Sequence, residues 1–336
     1  MTCPKRVHLV SRHTERHVPM TSRERVIKAL TFQPVDRIPT ERDDVYGPRY
    51  TYGPGRSSGP QACGKGRYTD VWGCVWEAAE DGVCGEVKAS PLRGDWSALA
   101  PFQPPWDVLE QADLATVNPD CAASDKFMIP MWAAAPNPFE RLQHLRGSEQ
   151  LFLDLGDPEP ELYRLRDLVH DYFMRQLRMW VETDIDGVHI ADDWGSQSAL
   201  LISPARWREF FKPLYRDYCD LAHAKGKLVV MHTDGYTADI IPDLIEIGVN
   251  AVNAQLFCLD IEQLAEQYAG RIAFWGEIDR QHLLTHGTTD EVRAAVRRVA
   301  NAFLRRQRSG VVGQCFWGKD HRVENMDAVY DEWGKV

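Results

Sequence analysis

His232 and Asp234 stand two residues apart at the end of the apolar run Leu228–His232, with Gly235 after them. Residues at i and i+2 of a strand point to the same side, so imidazole and carboxylate converge on one ion, and the glycine allows the turn that follows. Cys315, near the end of the run Gly310–Phe316, offers a thiolate, and Gln255 an amide oxygen. With His232 and Asp234 they make a mixed N/O/S set compatible with zinc. A plainer reading has His232 orienting a substrate, Asp234 capping the next helix and Cys315 as a buried thiol. Asp192 and Asp193 admit a carboxylate pair with one raised pKa, hydrogen bonds to a substrate, or one pocket residue and one helix cap. Neighbouring strand residues face opposite ways, which selects Asp192 for the pocket. Glu277 and Asp279 alternate so as to share a face, although Asp279 also suits the N-cap of the helix containing Gln281 to Leu284. Trp194, Trp275 and Trp317 suit either the wall of a pocket for a flat ligand or plain packing.

These residues lie at the exits of apolar runs that need an explanation of their own. Phe127–Trp132, Gly187–Ala191, Leu228–His232, Ala251–Leu256, Ile272–Trp275 and Gly310–Phe316 alternate with helical patterns at about 160–183, 204–225, 237–247, 260–269, 288–307 and 323–334. Strands apolar throughout, and not at every second residue, indicate a parallel sheet buried on both faces. Thr21-Ser22-Arg23-Glu24 and Thr288-Thr289-Asp290-Glu291 are capping boxes, Ser203-Pro204 starts a helix, and Gly226 and Gly248 end two. No GxGxxG follows the first strand and no GxxxxGK[ST] occurs, which removes dinucleotide and P-loop folds. The economical α/β architecture is a single (β/α)8 TIM barrel over residues 20–336, whose reactive groups come from strand C-termini. Its N-terminal region is elaborated: Gly47–Gly66 is rich in Gly, Pro and Ser, a surface insertion or a lid, and Tyr68–Glu80 reads as an aromatic-rich hairpin. Residues 1–19, carrying Lys5, Arg6, Arg12 and Arg16 against Glu15, read as a flexible basic extension.

The whole chain of 336 residues is 44% hydrophobic and 26% charged, which excludes collagen-like, disordered and disulfide-scaffold classes. A formal charge of −10 argues against general binding to nucleic acid or an anionic membrane. The tail has no secretory apolar run and no stretch approaches the ~20 apolar residues of a membrane span, so a cytoplasmic protein is expected. Eight cysteines are scattered without a CxxC pair, which favours reduced thiols. Arg293, Arg297, Arg298, Arg305, Arg306 and Arg308 follow one helical pattern and read as a solvated face.

Several phrases resemble the uroporphyrinogen decarboxylase-like superfamily, which includes the decarboxylase and the zinc-dependent, corrinoid-linked methyltransferases. They run from Thr21 to Pro39, from Pro138 to Gly147, from Asp186 to Gln197, through the strand bearing His232, and from Gly276 to Gln281. The resemblance implies a (β/α)8 barrel with a deep site at the strand C-termini, often in a homodimer. Two departures matter. Where the decarboxylase carries an Arg-rich motif for porphyrin carboxylates, this chain reads Glu41-Arg42-Asp43-Asp44-Val45-Tyr46, which speaks against a porphyrin substrate. Where the methyltransferases carry H-x-C and a distant Cys, Asp234 replaces the first cysteine and Cys315 is retained, while Gln255 falls near a family Glu.

The resemblance therefore points to a metal-assisted methyltransferase moving methyl groups between a small substrate and a corrinoid, O-demethylation included. Zinc or another divalent transition metal would sit on His232, Asp234, Gln255 and Cys315, and a corrinoid-binding protein is the expected partner. Asp192 and Glu277 would handle protons, with Trp194, Gln197, Trp275 and Trp317 around the substrate. A carboxylate in place of a thiolate hardens the site and favours oxygen substrates. The alternatives are a metal-free decarboxylase or other lyase of a small carboxylic acid, using Asp192 and His232, and a non-catalytic ligand-binding barrel. The pocket mouth is expected to be acidic, with Asp43, Asp44, Asp192, Asp193, Asp234 and Glu277 as candidates.

Overall fold

The computed structural model describes residues 20–52, 65–81, 85–131, 135–305, 309–315 and 318–336. Ten strands occur among them: β1 (Val45–Tyr46), β2 (Gly66–Thr69), β3 (Val75–Ala78), β4 (Glu86–Ala89), β5 (Phe127–Met128), β6 (Gly187–Ala191), β7 (Leu228–Thr233), β8 (Ala251–Ala254), β9 (Ala273–Gly276) and β10 (Val311–Gly313). β6 to β10 form one parallel sheet in sequence order. β1 pairs in parallel with β5, whose neighbour Asp186 donates its N–H to Met128 O at 2.8 Å on the β6 side. At the other edge Gly313 donates to Pro39 O at 2.8 Å, and Thr40 bridges Gly313.

Burial explains why these strands are apolar at every position. Val230, Ala251, Ala273, Trp275 and Val312 face one way and pack with Val26 and Leu30 of the helix Ser22–Leu30. Val229, Met231, Val252, Phe274 and Val311 face the other way, into the core shared with the covering helices. Both faces of the sheet are thus dry, as parallel sheets require. The capping boxes at Thr21 and Thr288 and the cap at Ser203 form as the sequence indicates. Gly226 and Gly248 take positive φ at the ends of their helices.

Three local outcomes differ from the sequence pattern. The helical stretch 204–225 divides into Pro204–Phe210 and Lys212–Ala224, because Pro213 supplies no N–H and sits in the first turn of the second helix. The stretch 237–247 begins as a 3-10 turn, Ala238–Ile240, before the helix Ile241–Glu246. The hairpin expected over Tyr68–Glu80 gains a third strand, giving the antiparallel sheet β2-β3-β4. Asp70 pins its turn by accepting from Trp72 N, Cys74 N and Trp76 Nε1, and Trp72 packs edge-on against Tyr172 of the helix Pro160–Val181. Residues 1–19 and 53–64, Trp317 and Cys3, Cys63 and Cys84 lie outside the described residues.

Candidate functional site

Register places the first pair of groups. His232, near the end of β7, lies opposite Ala191 of β6 and Asn253 of β8, and its Nδ1 is 2.7 Å from Asn253 Oδ1. Beyond the strands, the loops after β6 and β7 are laced together. Gly195 N donates to Asp234 O at 2.9 Å, Tyr236 N to Ser196 O at 2.7 Å, and Asp234 N to Asp193 Oδ1 at 3.0 Å. A side chain on Gly195 or on Gly235 would overlap the backbone of the other loop, and Gly235 has φ of 75°. Two glycines therefore let Asp193 and Asp234 meet over His232. Asp193 Oδ1 and Asp234 Oδ1 each lie 3.5 Å from His232 Nε2. The three donor atoms fall within 4.8 Å of one another, the metal-binding arrangement found among the described residues. Among the described residues Asp234 Oδ1 has no hydrogen-bond donor.

The surroundings are acidic. Arg280 hydrogen-bonds Asp234 Oδ2 and approaches Glu277 Oε1 at 3.4 Å. Burial pushes the Glu277 carboxyl up to about 8 against the pull of Arg280, with Asp234 and Glu41 adding to the rise. Burial, reinforced by Asp193, lifts Glu140 to about 7. Asp193 is itself raised by partial burial and by Asp234. His189, next to Ile190 in β6, is held neutral by burial, its pKa lowered to about 3. Beside the triad opens a cleft of about 380 Å³ whose wall includes Gln197, Gln255, Cys258, Glu277, Arg280 and His282.

The structure sorts the candidates read from the sequence. His232 and Asp234 converge, and Glu277, Gln197 and Gln255 line the cleft. The choice between the two aspartates falls to Asp193, because β6 ends at Ala191 and strict alternation ends with it. Asp192 is 0% exposed and turned away: it accepts from Phe139 N, Glu140 N and Tyr215 Oη, holding the N-terminus of the helix Pro138–Arg146. Gln255 Oε1 accepts from Gly235 N at 2.9 Å, so this amide oxygen fastens the turn. Cys315 stands outside the triad, its main chain bonded to Tyr330 Oη and its thiol pushed up to about 12 by burial. Trp194 is not a cleft residue either, for it stacks on Phe139 at 4.0 Å inside the aromatic core. Trp275 faces the sheet interior and donates to Glu41 Oε2 at 2.7 Å. Asp279 accepts from Gln281 N and His282 N in the turn before the helix Leu283–His286, whose N-cap position is His282, and it also lines the cleft. Asp44 does not reach the mouth, because Ser22, Arg25, Arg37 and Thr40 N all bond its buried carboxylate. Glu41 and Arg280 are residues the sequence did not single out, and Asn253 and Gln314 had no role assigned to them from the sequence alone. Only register and the meeting of distant segments bring them to His232, although Asn253 and Gln314 do end apolar runs.

Three similarities bear on this geometry. The family profile described as uroporphyrinogen decarboxylase (URO-D) matches residues 124–329. Methylcobamide:CoM methyltransferase MtbA of Methanosarcina mazei is 25% identical over 174 residues, 52% of this chain and 50% of that protein. The chain thus matches about half the length of this curated relative. A solved structure described as a methyltransferase from Methanosarcina mazei superposes with a TM-score of 0.69, covering 94% of this chain and 99% of its own at 16% identity. That last likeness speaks to the fold.

Proposed function

The chain belongs to the uroporphyrinogen decarboxylase family, and on that premise we propose that it is a metal-assisted methyltransferase acting between a small oxygen-bearing substrate and a corrinoid. The observation that carries this reading is the Asp193–His232–Asp234 triad. Two carboxylate oxygens 3.5 Å from one imidazole nitrogen call for positive charge between them, from a proton or a divalent ion. The donor set fits a divalent ion of intermediate to hard character, and it does not fit the thiolate-rich zinc site that the superfamily resemblance implies, since Cys315 stands apart. When bound, such an ion supplies Lewis acidity that stabilises negative charge on a substrate oxygen. The relative's name, a methylcobamide:CoM methyltransferase, supports a corrinoid as methyl donor or acceptor, presented as a substrate by a partner protein.

The chain's own residues have definable tasks in O-demethylation. The O–CH3 bond breaks, the methyl group passes to a cob(I)alamin, and the oxygen left behind takes a proton. Glu277, in the cleft wall and protonated at neutral pH, is placed to give that proton. Arg280 orients Asp234 and Glu277 relative to each other. Closure of the parallel sheet into a (β/α)8 barrel belongs to the same reading, supported by the bonds from Gly313 to Pro39 and from Asp186 to Met128. A lyase acting on a small carboxylic acid is the second reading, favoured by the cation of Arg280 beside the protonated Glu277 in one cleft.

Metal analysis and cobalamin spectroscopy test the assignment. Purified protein is expected to hold about one divalent transition metal per chain, and turnover with methoxylated substrates is expected to convert cob(I)alamin to methylcobalamin. Metal-free protein with no change in the cobalamin spectrum and CO2 release from a carboxylic acid would replace this assignment with the lyase.

A further inference from the structure

We propose that Asn253 is a positioning residue that sets the tautomer of His232, through a chain of amides ending at Glu41. Trp275 O is a main-chain carbonyl and can only accept, so the Asn253 atom 2.8 Å from it must be the Nδ2 amide nitrogen. The amide orientation follows from that single carbonyl. Asn253 Oδ1 then faces His232 Nδ1 at 2.7 Å and, being an acceptor, requires hydrogen on Nδ1. In a neutral imidazole this leaves the Nε2 lone pair pointing at Asp193 and Asp234. The second Nδ2 hydrogen goes to Gln314 Oε1, so the Gln314 amide nitrogen is left to face Glu41, whose carboxyl it draws down against the rise that burial causes. Glu41 Oε2 accepts from Trp275 Nε1 as well. Every member of the series thus has its donor and acceptor direction determined.

The device opposes a local preference. Two carboxylates 3.5 Å away would draw the imidazole proton to Nε2, the tautomer that cannot ligate a metal there. Asn253, held by a main-chain carbonyl, keeps the proton on the far side. The tautomer assignment stands without the metal reading, whereas its consequence for affinity rests on it.

The experiment is long-range 1H–15N NMR of metal-free protein labelled with 15N-histidine, in alkaline buffer, with the His232 signals assigned from His232→Gln. Wild type is expected to show His232 protonated at Nδ1, and Asn253→Leu to move the proton to Nε2 or mix the two forms. Glu41→Gln should leave the tautomer in place, because the Trp275 carbonyl alone orients Asn253. Titration with Co2+ alone should show binding to Asn253→Leu weakened by about 10–100-fold, the usual effect of losing the group that orients a ligating histidine. An Nε2–H tautomer in wild type overturns the proposal, and so does an unchanged Nδ1–H in a folded Asn253→Leu. If Asn253→Leu does not fold, the wild-type spectrum still decides. If neither protein binds Co2+, the metal reading falls while the tautomer result stands by itself.

Discussion

His232 shows one nitrogen to Asn253 and the other to Asp193 and Asp234, so each neighbour can be tested separately. Asp193→Asn should lower metal affinity by more than the ~10–100-fold typical of losing a supporting partner, while Cys315→Ser leaves metal content unchanged. Equilibrium dialysis followed by elemental analysis reads both, and equal losses would return Cys315 to the ligand set. Glu277→Gln should keep the metal and lose ~10²–10⁴-fold in kcat, because an amide cannot deliver the proton. Steady-state kinetics beside metal content separate that effect from a damaged site. At this scale the sequence was readable where the pattern is local: it places His232 at the end of an apolar strand with Asp234 two residues on, although β7 ends at Thr233 and the glycine turn, not strand alternation, brings Asp234 over the imidazole. Alternation failed at Asp192 and Asp193 too, just past the end of β6 at Ala191.

Elements matter here through two loops that touch. Gly235→Ala would force a side chain into the Gly195 backbone at a positive φ, at a cost of ~1–3 kcal/mol in urea unfolding. The same substitution should weaken metal binding although no donor atom changes, because it pushes Asp193 and Asp234 apart. Gly226→Ala is the control, having positive φ and open space around its Cβ, so it should lose stability and keep metal affinity. Equal metal loss in both variants would sever the link between loop approach and the triad. The helices themselves were legible as capped amphipathic runs. The break at Phe211 was not taken from the pattern, although Pro213 marks it.

Across the whole molecule, the helix Ser22–Leu30 packs Val26 and Leu30 against one face of the sheet, and Arg25 ties it to Asp36 and Asp44. The Arg25 guanidinium holds the Asp36 carboxyl down at about 2, below its ordinary 3.8. A carboxylate with a lowered folded pKa stabilises the fold above its unfolded value, and that contribution is lost as pH falls from about 4 toward about 2. Asp36→Asn should therefore be less stable than wild type at pH 6, and the difference should shrink steadily on acidification to pH 3. A gap in urea midpoint independent of pH would remove Asp36 from this role. By itself the sequence determined the order of strands and helices, the dryness of both sheet faces and the placing of His232 and Asp234 at the exit of one strand, because these follow from periods of 2 and 3.6 residues. Only the tertiary structure decided that Asp193 joins them while Cys315 does not, and that Asn253, Gln314 and Glu41 stand behind the histidine. The reason is that register between strands and the approach of two glycine loops are set by packing between segments distant in the chain, which no local period encodes.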